Sequence, residues 1–174
     1  VCYRKGDAMV DFDGKTVGEI REMAREGAAE ILKSYWDFQL PVKVIKIARS
    51  LGASVFTAQL GDDVYGMLKS EPGGPSIYLD EDQPNARMRF TCAHEIGHLY
   101  SHLGDDRDFV DARSDAGRGT ASEIYANEFA GNLLMPKQCV EEMLAEGIPP
   151  IQMAEKFGVS LAAMGYRLKV LRSE

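Results

Sequence analysis

Three residues within five positions of the chain could bind a metal ion and use it. His94, Glu95 and His98 form the pattern His-Glu-x-x-His. In a helix, residues four apart stand about 40° from each other and one turn apart, so the two histidines can ligate one metal ion. Glu95, about 60° from His98, is then placed to hold a water molecule without ligating the metal. The spacing predicts a hydrolytic metal centre with Glu95 as general base.

The position of the histidines on their helix supports this prediction over an accidental match. Cys92, Ile96 and Leu99 mark the apolar face of a helix predicted over about 85–103. His94 lies about 200° around the helix from Cys92, so the histidines point away from that face. Packing alone gives no reason for two histidines there.

A catalytic zinc ion usually has three protein ligands and one water, so a third ligand is needed. His102 continues the spacing but stands about 12 Å of helix rise from His94, which is too far for a shared zinc ion. The longer metzincin signature also fails, because Ser101 and Gly104 stand where Gly and His are required. We therefore predict an acidic third ligand and an outer or surface position for His102.

Glu123 is the acid that best fits this third position. It falls in a helix predicted over 121–135 that is apolar on most sides, whereas the acids between 105 and 115 fall in a polar stretch. Ala126 on the same face would allow close approach of the histidine helix, and a metal would remove the cost of a buried carboxylate. The alternative for Glu123 is a buried salt bridge to an arginine. Glu128, about 140° further around, is predicted to be an exposed charge.

Four other residues are candidates for supporting roles. Asn127, one turn beyond Glu123, is predicted either to hydrogen-bond a ligand or to be a structural amide between helices. Zinc peptidases need a hydrogen-bond donor for the developing oxyanion, and Tyr100, His102 and Tyr125 are the candidates. The sequence does not choose among these three.

Two blocks of sequence are specific when taken together: RFTCAHEIGH at 89–98 and EIYANEFAGNLLMP at 123–136. The pair resembles the ImmA/IrrE family of zinc metallopeptidases. Looser similarity reaches back to Pro41 and forward to Ser160. The chain departs from the family pattern at Cys92, where a small apolar residue is more usual.

The resemblance implies a function and a ligand set. Zinc would be held by His94, His98 and Glu123, with Glu95 as base. Family members commonly cleave a helix-turn-helix transcriptional repressor, which switches on phage, mobile-element or stress genes. The protein partner implied is therefore such a repressor, and the alternative is a zinc-containing antirepressor that binds the repressor without cleaving it.

The remaining sequence predicts the elements around this site. Thr16 and Glu19 form a capping-box pattern at the start of a helix over about 17–34. Further segments are predicted as a short helix from Pro41 to Gly52, strands at 53–60, 63–69 and 76–80, and a polar linker over 104–120. The fold class is α+β: a small zincin-like core over 1–136 with a short antiparallel sheet. If the 76–80 strand is an edge of this sheet, an extended segment of the substrate is predicted to pair with it. A helical appendage over 137–174 packs on this core.

The appendage resembles a helix-turn-helix over 150–172, which raises the question of DNA binding. Its basic residues Arg167, Lys169 and Arg172 crowd at one end of the second helix. The whole chain of 174 residues carries a net charge of −7. Such a charge opposes general affinity for nucleic acid, so we predict a role in packing or in docking the repressor.

The apolar pattern and the cysteine usage predict a cytoplasmic protein. The chain shows no apolar run of the roughly 20 residues needed to span a membrane and no secretory signal after Val1. Its three cysteines, Cys2, Cys92 and Cys139, are an odd number without paired spacing, which favours reduced thiols. We predict that all three are chemically inert.

Overall fold

A computed structural model describes residues 10–61, 64–102, 119–173 and the backbone of 110–113. Cys2 and the acids Asp105, Asp106, Asp108 and Asp115 lie outside these residues. The helices are α1 (Val17–Tyr35), α2 (Val44–Ser50), α3 (Asn85–Ser101), α4 (Ala121–Leu134), α5 (Lys137–Ala145), α6 (Pro150–Phe157) and α7 (Leu161–Leu171). The strands are β1 (Ser54–Ala58), β2 (Gly66–Glu71), β3 (Gly74–Asp80) and β4 (Val110–Arg113).

The predicted capping box begins α1. The backbone N–H of Glu19 donates to the Thr16 hydroxyl at 3.3 Å, and the backbone N–H of Thr16 donates to the Glu19 carboxylate at 2.8 Å. These two bonds satisfy donors that a helix start leaves without intrahelical partners. The buried face of α1, which includes Ala24, Gly27 and Ala28, packs against α4.

The α+β class is confirmed, but the sheet differs from the prediction in strand order and direction. Its order is β1-β3-β2-β4. Strand β3 runs antiparallel to β2 and parallel to β1, so the sheet is mixed and not purely antiparallel. The 76–80 strand is not an edge of the sheet, because β3 has a neighbour on each side. Ile77 and Leu79 of β3 are 0% and 1% exposed, as expected of a central strand.

The prediction of a linker without secondary structure over 104–120 is also wrong in part. Val110–Arg113 forms β4 and pairs antiparallel with β2, with Arg113 opposite Gly66. Among the described residues, β4 pairs on one side only. The described edges of the sheet are therefore β1 and β4, and β4 is the edge next to β2.

Helix α3 lies between the sheet, α2 and α4, and the C-terminal helices share its core. Phe157 of α6 and Met164 of α7 are fully buried in the same apolar cluster as the residues of α3. The Arg89 guanidinium of α3 donates to the carbonyl of Gly158 at 3.1 Å and to that of Val42 at 2.9 Å. These bonds fasten the turn between α6 and α7 to the helix that carries the histidines.

Helices α6 and α7 are joined by a tight turn in which Gly158 has a φ of +64°, a value that favours glycine. Arg167 of α7 is only 4% exposed and donates to the carbonyl of Met135 and to the side chain of Asn132. The arginine is therefore committed to the protein interior and is not available to contact a phosphate. Within the described residues, no helix has both the length and the apolar character needed to cross a membrane.

Candidate metal centre

The structure brings the two predicted histidines and the predicted acid together. The Nε2 atoms of His94 and His98 are 2.9 Å apart, and the two residues are 0% and 1% exposed. Glu123 on α4 places Oε1 3.1 Å from His98 Nε2 and 3.5 Å from His94 Nε2. Within the described residues, these three form a group able to ligate one metal ion.

The donor atoms fit a tetrahedral metal. With bonds near 2.0–2.1 Å, neighbouring ligand atoms of a tetrahedron lie about 3.3 Å apart, close to the three distances observed. His94 Nδ1 lies 3.1 Å from Asn127 Oδ1, an acceptor, so Nδ1 carries the proton and Nε2 keeps its lone pair. His98 Nδ1 lies 3.0 Å from the Ser122 hydroxyl. Two imidazole nitrogens and a carboxylate oxygen thus converge on one point, an arrangement that a cation stabilises.

Close packing of α3 on α4 is what allows Glu123 to reach the histidines. A Cβ atom added at Gly97 would lie 3.0 Å from Cα of Ala126 and 3.3 Å from Cβ of Phe129. Such distances are shorter than ordinary carbon contacts of about 3.5–4.0 Å, so any side chain at this position would require α4 to move away from α3. The small residues predicted to permit close approach therefore lie at the contact, with Gly97 opposite Ala126.

The start of α4 favours an ionised Glu123. Thr120 caps the helix by accepting a hydrogen bond from the backbone N–H of Glu123 at 3.3 Å, which puts this acid in the first turn. The positive end of the helix dipole stabilises a carboxylate there. Burial acts to raise the pKa of Glu123, but its hydrogen bonds with His94 and His98 outweigh burial and lower that pKa well below the usual range. Glu123 is therefore ionised beside the two histidines.

The prediction that Glu128 is an exposed charge is wrong. Its side chain is only 9% exposed and lies 3.1 Å from Arg25 Nε and 3.9 Å from Arg21 Nε, both on α1. The side-chain amide of Asn132 also donates to it at 3.1 Å. The turn of about 140° from Glu123 directs Glu128 at α1 and not at solvent. A salt bridge to arginine was the alternative considered for Glu123. The structure shows such a salt bridge at Glu128 instead.

Glu95 is fully buried and lies on another side of α3, against the first residue of β2. A Cβ atom at Gly66 would stand 2.9 Å from Glu95 Oε1 and 2.4 Å from Cγ2 of Thr91. Thr91 lies one turn before Glu95 on α3. Its hydroxyl donates to the side chain of Gln83 at 2.9 Å, and this bond holds Thr91 in place. Glu95 remains outside the ligand group, as the helical geometry predicted.

The two tyrosines considered as oxyanion donors point at α1. The Tyr100 hydroxyl donates to Glu30. Tyr125 is 1% exposed, and its hydroxyl lies 2.6 Å from the position that a Cβ atom on Gly27 would occupy. Both hydroxyls thus lie against α1, and a role of either tyrosine at an oxyanion stays a prediction. His102 caps the end of α3 and is half-buried, and its role stays a prediction.

The sequence analysis missed two residues of the site. Ser122 orients His98, but a serine before an acid has no distinguishing pattern in the sequence. Gly66 makes room for Glu95, and the only signal was a glycine inside a run typical of a strand. Cys92, the departure from the family pattern, is fully buried on the opposite face of α3, and burial raises the pKa of its thiol to about 12, which makes it unreactive.

Comparison with known proteins places this site in a family. The sequence profile of the peptidase M78 family, described as the IrrE N-terminal-like domain, matches residues 48–169. The uncharacterized immunity region protein 2 of Bacillus phage phi105 is 26% identical over 97 residues, which cover 56% of this chain and 61% of the phage protein. A Mycobacterium tuberculosis transcriptional regulator shares the fold, with a TM-score of 0.60 at 17% identity over 87% of this chain and 51% of the regulator. The chain thus spans less than two thirds of either protein.

Proposed function

Since this chain belongs to the peptidase M78 family of IrrE N-terminal-like domains, we propose that it is a zinc-dependent endopeptidase. The observation that carries this proposal is the meeting of His94 Nε2, His98 Nε2 and Glu123 Oε1 within 2.9–3.5 Å of one another. A set of two imidazoles and one carboxylate is typical of catalytic zinc, which keeps a fourth position for water. The ligand set, the buried Glu95 that follows His94 in the chain, and the family point to the same chemistry.

The proposed roles of the residues follow from their positions. Zinc bound by the three ligands would polarise the scissile carbonyl and lower the pKa of water. The carboxylate of Glu95 accepts the proton of the attacking water and passes it to the leaving amine. Asn127 and Ser122 hold the two imidazole rings through Nδ1, which keeps both Nε2 atoms directed at the metal position.

We further propose that the substrate is a helix-turn-helix transcriptional repressor cut at one site. The phage immunity-region relative and the regulator of similar fold support a regulatory setting. An extended segment of the substrate would pair with β4, which takes the place of the 76–80 strand in the earlier prediction. Backbone pairing gives little side-chain specificity, so other surfaces must select the substrate. A repressor substrate would place the protein in the cytoplasm.

The test uses purified zinc-loaded protein with the repressor encoded beside its gene and with unrelated unfolded proteins. Products are mapped by mass spectrometry, and the Glu95→Gln variant serves as the control because it keeps all three ligands. We expect one cut in the repressor and none with Glu95→Gln. Degradation of unrelated chains with an intact repressor would indicate a general peptidase. A repressor bound but uncut would indicate an antirepressor.

A further inference from the structure

A cavity of about 380 Å³ lies beside the metal centre, between α3, α4 and α7. Phe90 of α3 and Ile124 of α4 form part of its wall on the side of the histidine helix. Ala163 and Val170 of α7 form part of the opposite wall, and Tyr166, which is 60% exposed, also lines it. The C-terminal helix therefore contributes directly to a cavity at the candidate site.

Asn127 connects this cavity to the metal centre. Asn127 lines the cavity, and its side chain accepts a hydrogen bond from His94 Nδ1 at 3.1 Å. Phe90 lies one turn before His94 on α3, and Ile124 directly follows Glu123. The cavity therefore begins behind the His94 ring. Since an extended chain advances about 3.3–3.6 Å per residue, a side chain within two residues of a bond cleaved at the metal can reach it.

The polar groups at the end of the cavity are paired with one another. Glu128 is bonded to Arg25 and to Asn132, and Arg167 donates to Asn132 at 2.8 Å. Arg21, which also lines the cavity, lies 3.9 Å from the Glu128 carboxylate, and its side chain is 46% exposed. A polar or charged guest would have to break these bonds or lose its own hydration without replacement, which is costly. The rest of the lining named above is largely apolar. The cavity is thus suited to an apolar side chain the size of Leu, Met or Phe.

We propose that this cavity is a specificity pocket that receives an apolar substrate side chain within two residues of the scissile bond. The inference rests on the proposed peptidase function. It also gives α7 a function other than DNA binding, because Ala163 and Val170 shape the pocket. Of the helix-turn-helix-like pair, the second helix then takes part in selecting that substrate residue.

Two variants fill the cavity and one matched variant leaves it open. Ala163→Phe puts a ring into the pocket from α7, whereas Ala162→Phe adds the same ring at the exposed neighbouring position. Gly131→Leu fills the pocket from α4, where a new Cβ atom meets nothing within 4 Å. Thermal melting shows which variants remain folded. Using two filling variants keeps the test valid if one of them does not fold.

Two measurements are made on each zinc-loaded protein. In the first, blocked dipeptides containing Leu or Phe, or Asp or Lys, are titrated while amide NMR shifts are recorded. We expect the apolar dipeptides alone to shift the amides of Ile124, Gly131 and Ala163. In the second, a degenerate peptide library is digested and the products are sequenced. We expect an apolar preference at one position near the cut, reduced about ten-fold or more by the filling variants and unchanged by Ala162→Phe.

The outcomes distinguish the proposal of a specificity pocket from the proposal of peptidase activity. Cleavage without an apolar preference, or with a preference that the filling variants leave intact, overturns the pocket. Shifts by apolar dipeptides that the filling variants remove, without cleavage of either the peptide library or the repressor, keep the pocket but remove the proposed activity. No cleavage together with no shifts overturns both.

Discussion

Replacing Gly97 by alanine tests whether close helix packing holds the metal centre together. The new Cβ atom would lie 3.0 Å from Cα of Ala126, so α4 must move by a few tenths of an ångström to restore an ordinary carbon contact. Glu123 moves with α4, although zinc bonds to carboxylate oxygen require about 2.0–2.2 Å. We expect zinc affinity to fall about 10–100-fold, the size of effect seen when the support of a ligand is disturbed.

Stability will change less than affinity in this variant. Alanine is favoured over glycine in a helix by about 1 kcal/mol, which offsets part of an overpacking cost of about 1–3 kcal/mol. The net loss in the free energy of unfolding of the metal-free protein is then about 0–2 kcal/mol. Gly165→Ala is the control, because its Cβ atom meets nothing within 4 Å on an exposed part of α7.

The assay is competition for zinc with a chelator of known affinity, together with denaturant unfolding of the metal-free proteins. Gly165→Ala should bind zinc like the parent and gain up to about 1 kcal/mol of stability. If Gly97→Ala also binds zinc within two-fold of the parent, helix spacing does not set the ligand geometry, and our explanation of the Gly97 contact is refuted.

Three further predictions concern single residues of the site. Glu123→Ala should lose most of its zinc by metal analysis, whereas Glu128→Ala should keep its zinc. Glu128→Ala should instead lose about 1–3 kcal/mol of stability because a largely buried ion pair is broken. Equal zinc content in both variants would rule out Glu123 as the ligand. Gly66→Ala should retain zinc but lose cleavage, because the new Cβ atom displaces Glu95. Gly73→Ala, whose Cβ atom meets nothing within 4 Å, should cleave normally. Normal cleavage by both variants would show that Gly66 does not position Glu95. Asn127→Ala should weaken zinc binding about 10–100-fold in chelator competition, and unchanged affinity would show that the amide does not hold His94.

The metal centre could be predicted from the sequence because helix geometry relates residues that are close in the chain. The four-residue spacing of His94 and His98 directs both side chains to the same face of α3. The burial of α4 favours Glu123 over the acids of the 104–120 segment. The family resemblance led to the same ligand and is confirmed by the profile match over 48–169. The capping box at Thr16 is equally local, and it too is confirmed.

The errors concern contacts between segments that are distant in the chain. Glu128 was assigned to solvent because an angle around one helix does not reveal which helix lies opposite, and α1 brings two arginines to it. The error in strand order has the same cause: β3 is placed between β1 and β2 by long-range pairing that no local signal encodes. Strand β4 is short and polar in sequence, so its pairing with β2 was also not visible.

The hydrogen bonds of Arg89 should affect how the chain unfolds and which substitutions related chains tolerate. One guanidinium joins the carbonyls of Val42 and Gly158, which lie far apart in sequence, to the helix that carries both histidines. The segments before and after residue 136 should therefore melt in one cooperative transition, with amide exchange in α6 and α3 governed by the same opening event. A substitution at Arg89 in related chains should accompany a rebuilt α6–α7 turn, because three distant regions share this single cation.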